Sequence, residues 1–510
     1  MELTSSSTWP WPWAMASSLL LLLISTLQLF LSHKKRQGRL PPGPPALLFI
    51  AKFLALRRRS ALGLGPLLRG LHARYGPVVA VRLLGTTRVF VADIKLAHRV
   101  LVKGGATFAD RPPLAEPAGL FNSGTRGISN APYGSYWGLV RRNLAAQALH
   151  PSRDACFAPA RRHARDALVR DLLGHGRDGA AAVALRPLFR RALFELLLHM
   201  TLGVKLGPEM LDEIQELQQH IVRAISGFPF FSFPAITKRL FRQRWARYVA
   251  LRRRQEEIFL PLIHARRDDR ATDEEDPPCY ADSLLSLRIS AEGGRPLTDA
   301  EVVSLCSEFL NGAADTTLTA VEWIMAELVN HPDMQSKVYE EVNRADRLEL
   351  DDDQSMPYLK AVVLEGLRLH PPTNILIPHA AYGDGAEIDG YAVPKGTEVH
   401  FLVSNFGRDE TVWTAAMEFR PERFLDGGEG HGVDVTGTRE IKMIPFGAGR
   451  RMCPAYRLGM LHVEYFVGSL VRELEWLPAA EGEVVDMAEE LDFTTVMKHP
   501  LRARVVPRTT

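Results

Sequence analysis

The chain has 510 residues, 46% of them hydrophobic and 24% charged, with a formal net charge of +3. That balance gives no global basic field for nucleic acid, and the length allows a large buried core. The four cysteines, Cys156, Cys279, Cys306 and Cys453, form no CxxC spacing. This argues against a disulfide framework or a structural zinc site and fits reduced thiols facing the cytosol.

Taken in chain order, residues 1–13 read as a lumenal N-terminus, 14–32 as a transmembrane signal-anchor, 33–46 as a basic stop with a proline-rich hinge, and 47–510 as the body. No residue from Ala14 to Leu31 is charged, which is near the lower limit for a helix that spans a bilayer. His33-Lys34-Lys35-Arg36 and Arg39 follow, so the positive-inside bias predicts a single pass with a cytosolic body. A cleaved secretory peptide would carry its basic residues before the apolar stretch, the reverse of this order. Trp9, Trp11 and Trp13 suit an aromatic belt at the far interface. The prolines of Leu40-Pro41-Pro42-Gly43-Pro44-Pro45 forbid helix continuation and predict a stiff, extended spacer.

Helical periodicity dominates the body, which reads as mostly α with a smaller β part. Val78 to Val91 reads instead as a β-hairpin around Gly85-Thr86-Thr87. Ser226 to Phe241 carries Phe228, Phe230, Phe231, Phe233 and Phe241. Core packing and an apolar surface for membrane or substrate both fit it. Gln255 to Arg295 reads as an exposed polar connection.

Thr298 and Glu301 then make a capping-box pattern ahead of Val302, Leu305 and Phe309. Continuing that stripe reaches Gly312 and Thr316 within Asn311-Gly312-Ala313-Ala314-Asp315-Thr316-Thr317. Taken alone, this small-residue patch favours close packing of another helix. The alternative is a ligand against the backbone, with Asp315 and Thr316 relaying protons. Glu365 and Arg368 share a helix face at i,i+3 and alone read as a surface ion pair. Arg423, in Phe419-Arg420-Pro421-Glu422-Arg423-Phe424, would join them in a charge-assisted network around the cysteine loop. That loop, Pro445-Phe446-Gly447-Ala448-Gly449-Arg450-Arg451-Met452-Cys453, precedes the helical run Met460, Val463, Val467, Leu470 and Leu474. A thiol at a helix N-terminus is biased toward thiolate, which makes Cys453 a candidate metal ligand; an inert packed thiol is the other reading.

Together and in this order, the patterns resemble the haem-thiolate monooxygenases, the cytochrome P450 superfamily. Phe446, Gly449, Arg451 and Cys453 match the family's cysteine loop, with Ala455 where glycine is usual. Glu365 and Arg368 match the Glu-x-x-Arg motif, and Arg423 its partner arginine. Gly312, Asp315 and Thr316 match the oxygen-activation motif, with Ala313 at a second usual glycine. Trp137 and Arg141 match a Trp-x-x-x-Arg pattern, and His379 follows a proline where the family often places a propionate contact. The anchor and hinge are similar to the plant microsomal A-type branch. Ala109-Asp110-Arg111-Pro112-Pro113 and Arg141-Arg142-Asn143-Leu144 look closest to plant family eighty-nine, then family seventy-seven.

The resemblance implies the P450 fold behind a single N-terminal transmembrane helix, and haem b (iron protoporphyrin IX) with Cys453 as its axial ligand. It assigns propionates to Trp137, Arg141, His379 and Arg451, shielding of the sulfur to Phe446, and oxygen handling to Gly312, Asp315 and Thr316. No GxGxxG follows a strand, so NADPH electrons would come through a flavoprotein reductase, with cytochrome b5 as a further partner. Arg141, Arg142, Lys442, Arg450, Arg451 and Arg457 are candidates for an acidic partner's docking face. The implied reaction is monooxygenation of an apolar or amphipathic small molecule at the endoplasmic reticulum membrane, in plant secondary metabolism. Oxygen-independent hydroperoxide rearrangement and a non-catalytic haem sensor or carrier are the alternatives. Residues 112–130, the Phe-rich segment and the stretch after Pro372 would set the substrate.

Overall fold

The structure is a computed structural model that describes residues 40–57, 64–83, 86–176, 179–226, 234–269, 278–344 and 356–508. The expected anchor over 14–32, its basic stop and the tryptophans before it lie outside those residues. Among the described residues no helix is long and apolar enough to cross a membrane. The proline hinge is docked: the Pro42 carbonyl accepts the Ala80 N–H at 2.8 Å, and Pro41 and Pro44 are buried. The segment is neither helix nor strand from residue 40 to 45 and packs on the chain at Ala80.

The strands used below are β1 (Val78–Leu83), β2 (Thr86–Val91), β3 (Ala182–Ala184), β4 (His379–Ala380), β5 (Glu398–Phe401), β6 (Leu474–Pro478), β7 (Glu489–Leu491), β8 (Thr495–Met497) and β9 (Arg502–Pro507). The expected hairpin forms, with Val78 opposite Val91, and Thr86 and Thr87 belong to β2. Strand order is β1-β2-β5-β4 in one sheet and β6-β9-β3 in a second, with β7 and β8 as a separate hairpin. The first sheet presents His379 from its edge, since β4 pairs His379 with Val399.

The helices that position the site are α1 (Ser135–Gln147), α2 (Leu185–Leu202), α3 (Pro208–Ser226), α4 (Arg242–Asp269), α5 (Asp299–Asn330), α6 (Pro332–Arg344), α7 (Pro357–Leu369) and α8 (Tyr456–Glu473). Helix α5 begins at the predicted capping box: Thr298 Oγ1 accepts the Glu301 N–H at 3.2 Å, and Glu301 Oε2 accepts the Thr298 N–H at 2.8 Å. Its second half is buried on every face and runs through the largest core cluster, against α2, α7 and α8, with Glu322 and Glu327 held in ion pairs. Trp323 is fully buried there, stacked on His370 at 4.4 Å, and Phe189 meets Phe466 edge-on at 4.8 Å. Each such burial contributes about 1.5–3 kcal/mol, so α5 is held as a rigid rod.

The polar connection expected from Gln255 is helical through Asp269, and a further helix covers Tyr280–Ser286; residues 270–277 lie outside the description. The charges misled because α4 buries only a narrow stripe, including Phe259 and Ile263, and its arginines find partners both inward, as Arg252 does at the Ala300 carbonyl, and outward. Arg254 pairs with Glu213, and Arg266 meets Asp282 at 3.0 Å. Phe228 to Phe233 lie outside the described residues. The following helix, Pro234–Leu240, leaves Ile236 and Leu240 exposed at 67% and 59%.

Candidate functional site

The cysteine loop owes its shape to two left-handed glycines, Gly447 at φ 72° and Gly449 at φ 71°. A Cβ at Gly449 would lie 1.8 Å from the Leu101 carbonyl oxygen, so no other residue fits. A turn of 3-10 helix over Gly449–Arg451 reverses the chain, and the Cys453 N–H donates to the Phe446 carbonyl at 2.8 Å. Helix α8 starts three residues later with Ala455 at its N-cap, at φ −96° and ψ 22°. That is ordinary backbone for an L-residue, so the alanine in place of glycine strains nothing. The Phe446 ring lies against Gly459, where a Cβ would sit 3.3 Å from Cε1. Burial pushes the Cys453 thiol above its usual range, against the opposing pull of the Ala455 N–H and Arg141. Desolvation thus opposes the thiolate that the helix terminus and Arg141 favour.

Cys453, Phe446, Arg141, Arg451, His379, Gly312, Ala313 and Thr316 all line one cavity of about 1920 Å³. Its remaining walls are mainly apolar, with Phe121, Ile221, Leu305, Phe309, Leu376 and Phe493 among them. These come from the 112–130 stretch, α3, α5, the segment after Pro372 and the β7–β8 hairpin. Trp137 is buried without lining the cavity, and its Nε1 has no hydrogen-bond partner. The Arg451 and Arg141 guanidinium groups lie 4.4 and 5.4 Å from its ring centroid.

Arg451 donates to the Ala109 and Ala131 carbonyls, each at 2.6 Å, and Arg141 to the Met452 carbonyl at 2.5 Å. His379 Nδ1 lies 2.8 Å from the Phe108 carbonyl, and burial next to Arg111 lowers its pKa to about 3. The ring is therefore neutral. Arg111, which pattern reading used only for family placement, lines the same cavity and donates to Ser129, Ile377 and Pro378 carbonyls at 2.7, 2.9 and 2.9 Å. Burial and then the neighbouring arginines push Arg111 down to about 9, while burial lowers Arg451 to about 10. Three clustered guanidinium groups and an orphaned indole N–H make a site for anions, and haem brings two carboxylates. The donor set fits the cofactor, with Cys453 as its one soft ligand.

On α5, Thr316 Oγ1 donates to the Gly312 carbonyl at 2.7 Å. A Cβ at Gly312 would meet no protein atom within 4 Å. Close packing of a neighbouring helix therefore does not account for the glycine. Asp315 lies off the cavity and pairs with Arg190 at 2.9 Å, each side chain 17% exposed.

The Glu365–Arg368 pair is no surface ion pair. Both side chains are fully buried, with Arg368 Nε 2.6 Å from Glu365 Oε2 and Arg423 Nε 3.0 Å from Oε1. Arg368 also donates to the Gly407, Ala416 and Glu418 carbonyls, and Arg423 to those of Thr414, Ala415 and Glu418 and to Glu429. Every guanidinium N–H of both arginines is thus used. Trp413 continues the arrangement toward the cysteine loop, donating to the Lys442 carbonyl at 3.2 Å. Of the six basic candidates for docking, Arg142, Arg450 and Arg457 are exposed, whereas Arg141 and Arg451 turn to the cavity.

A cysteine loop, a cluster of arginines and a hydroxyl-bearing helix around one apolar cavity fit a haem-thiolate enzyme. The family description "Cytochrome P450" matches residues 41–506, and the chain belongs to that family. Cytochrome P450 89A9 of Arabidopsis thaliana is 40% identical over 501 residues, covering 95% of this chain and 96% of the relative, in agreement with the placement near family eighty-nine. Flavonoid 3'-monooxygenase of Arabidopsis thaliana is 30% identical over 505 residues, covering 94% of each chain. A zebra fish cytochrome P450 solved with progesterone shares the fold at TM-score 0.73 and 23% identity, covering 87% of this chain and 99% of the other. The protein is an oxidoreductase that incorporates oxygen from O2 and carries haem b.

Proposed function

We propose that the chain is a membrane-bound haem-thiolate monooxygenase of the endoplasmic reticulum that hydroxylates an apolar or amphipathic small molecule with NADPH electrons delivered by a flavoprotein reductase. The observation that carries this reading is the shared cavity, which brings Cys453 on its floor and Gly312 and Thr316 on its wall into one volume. The apolar lining suits the substrate class. Exposed Ile236 and Leu240 support contact with a membrane surface, and exposed Arg142, Arg450 and Arg457 support docking of an acidic partner.

In this reading Cys453 ligates the iron, and Trp137, Arg141, His379 and Arg451 hold the propionates. Bound there, haem b supplies reductive activation of O2 and insertion of one oxygen atom into substrate. Phe446 keeps water from the sulfur, and Gly449 lets the loop close under it. Thr316 holds a proton at Oγ1, where its hydrogen bond to Gly312 fixes the rotamer. Asp315 passes protons inward from the Arg190 side, so that oxygen leaves in product and not as peroxide. Glu365, Arg368 and Arg423 hold the chain beneath the cysteine loop.

The test is the difference spectrum of dithionite-reduced, carbon monoxide-bound protein. Wild type should show the thiolate-type Soret band and Cys453→Ser should lose it. Folded, haem-loaded wild type without that band would refute the assignment.

A further inference from the structure

Helix α5 carries a further polar side chain at the cavity that none of the motifs includes. Glu308 is half-buried, lines the cavity, and makes no ion pair among the described residues. Its two oxygens each accept one backbone N–H: Oε2 that of Ile128 at 2.6 Å, Oε1 that of Ser129 at 2.7 Å. The carbonyls of the same two residues are taken from the other side. Arg451 Nη1 donates to the Ile128 carbonyl at 3.3 Å, and Arg111 Nε to that of Ser129 at 2.7 Å. One dipeptide is therefore gripped through its N–H groups by the helix that bears Thr316, and through its carbonyls by two cavity arginines.

The fit is tight. A Cβ on Gly127 would stand 3.0 Å from Glu308 Oε2 and 2.7 Å from Asn122 Oδ1, so any larger residue before the clamp would push both side chains aside. Burial raises the Glu308 pKa, opposed by the Ser129 side chain, then by the two N–H groups and by Arg111. A charged acceptor is worth about twice a neutral one, which suits a contact that must hold a loop over a cavity.

We infer that Glu308 is a positioning residue, whose carboxylate clamps the Ile128–Ser129 peptide and so fixes the wall of the substrate cavity together with Arg111 and Arg451. Without the clamp, residues 122–131 swing away from α5 and the cavity loses its shape on that side. The consequence for ligands rests on the haem-site reading above, whereas the clamp itself does not.

Glu308→Gln tests it, because an amide keeps the size but turns an NH2 toward one of the two N–H donors. Trypsin should cut after Arg126, next to the clamp, about tenfold faster in Glu308→Gln than in wild type, the factor for losing one hydrogen bond to a charged acceptor. Glu308→Asp, too short to reach both N–H groups, should fall between. In protein retaining the carbon monoxide spectrum, affinity for 4-phenylimidazole should drop several-fold while that for imidazole stays. A global loss of stability would not split the two. Cutting at the wild-type rate, or parallel changes for both imidazoles, would overturn the proposal. Should the variants fail to fold, hydrogen exchange on wild type decides. Ile128 and Ser129 amides should be protected like those of α5, and exchange as fast as exposed Thr125 would end the idea. This holds whatever the spectrum of Cys453→Ser shows.

Discussion

Arg190 on α2 holds Asp315 on α5 at 2.9 Å, with both side chains mostly buried and neither lining the cavity. The carboxylate beside the cavity hydroxyl is thus tied to a neighbouring helix. Asp315→Asn keeps the size but removes the proton carrier. Substrate-dependent NADPH consumption with reductase is expected to fall by roughly 10²-fold, the lower end for positioned proton transfer, with the thiolate Soret band unchanged. Loss of the band together with activity would make Asp315 structural only.

Thr316→Ala removes the Oγ1 that bonds to the Gly312 carbonyl at 2.7 Å. The band should persist while hydrogen peroxide per NADPH rises. Thr316→Ser restores a hydroxyl within reach and should bring the peroxide fraction back toward wild type. Unchanged coupling in the alanine variant would remove Thr316 from its assigned role.

Glu365→Gln leaves Arg368 and Arg423 charged at positions 1% exposed or less. Stranding buried charge costs about 3–5 kcal/mol, a large part of any domain's stability. The urea midpoint should drop sharply and haem be lost on purification. A stability change under about 1 kcal/mol, taken from the midpoint and slope, would show that the network is dispensable.

Gly449→Ala should prevent loop closure, since its methyl would meet the Leu101 carbonyl at 1.8 Å in a left-handed backbone. Haem content measured by pyridine haemochrome should fall well below that of wild type. Ala455→Gly should leave it unchanged.

His379 and His462 are both buried and held down to about 3 from an ordinary 6.5, by burial first and by Arg111 and Arg161 respectively. Between those values the unfolded chain binds the proton and the folded chain does not. Stability is therefore complete above pH 6.5 and declines as pH falls toward 3, by roughly 1.4 kcal/mol per unit for each histidine. Urea midpoints from pH 7 to pH 5 give the slope, and His462→Gln should reduce it. An unaltered slope would exclude His462 as a contributor.

Local signals carried far in this chain. The Thr298–Glu301 box starts α5 where the pattern placed it, the hairpin at Val78 pairs as expected, and the cysteine loop lies under the cavity. What escaped was burial and long-range pairing. An i,i+3 glutamate and arginine look alike in water and in a core, so the Glu365–Arg368 spacing alone pointed to the surface, and only the pairing with Arg423 pointed to the network that forms. Glu308 grips backbone N–H groups 180 and 179 residues away, and a peptide group has no side-chain signature. Arg111 likewise bonds only to carbonyls. Helix α4 was hidden by its charge because its apolar stripe is narrow.

Glu308, Gly312 and Thr316 recur at intervals of four on an unbroken helix. At 3.6 residues per turn and 1.5 Å per residue, each interval overshoots a full circle by about 40° and climbs about 6 Å. The loop anchor and the hydroxyl are thus about 80° out of phase and about 12 Å apart along one shaft. One residue inserted between them would rotate Thr316 by about 100° relative to Glu308 while each half stayed helical. Chain length over this stretch is therefore as strict a requirement as the identity of any residue in it.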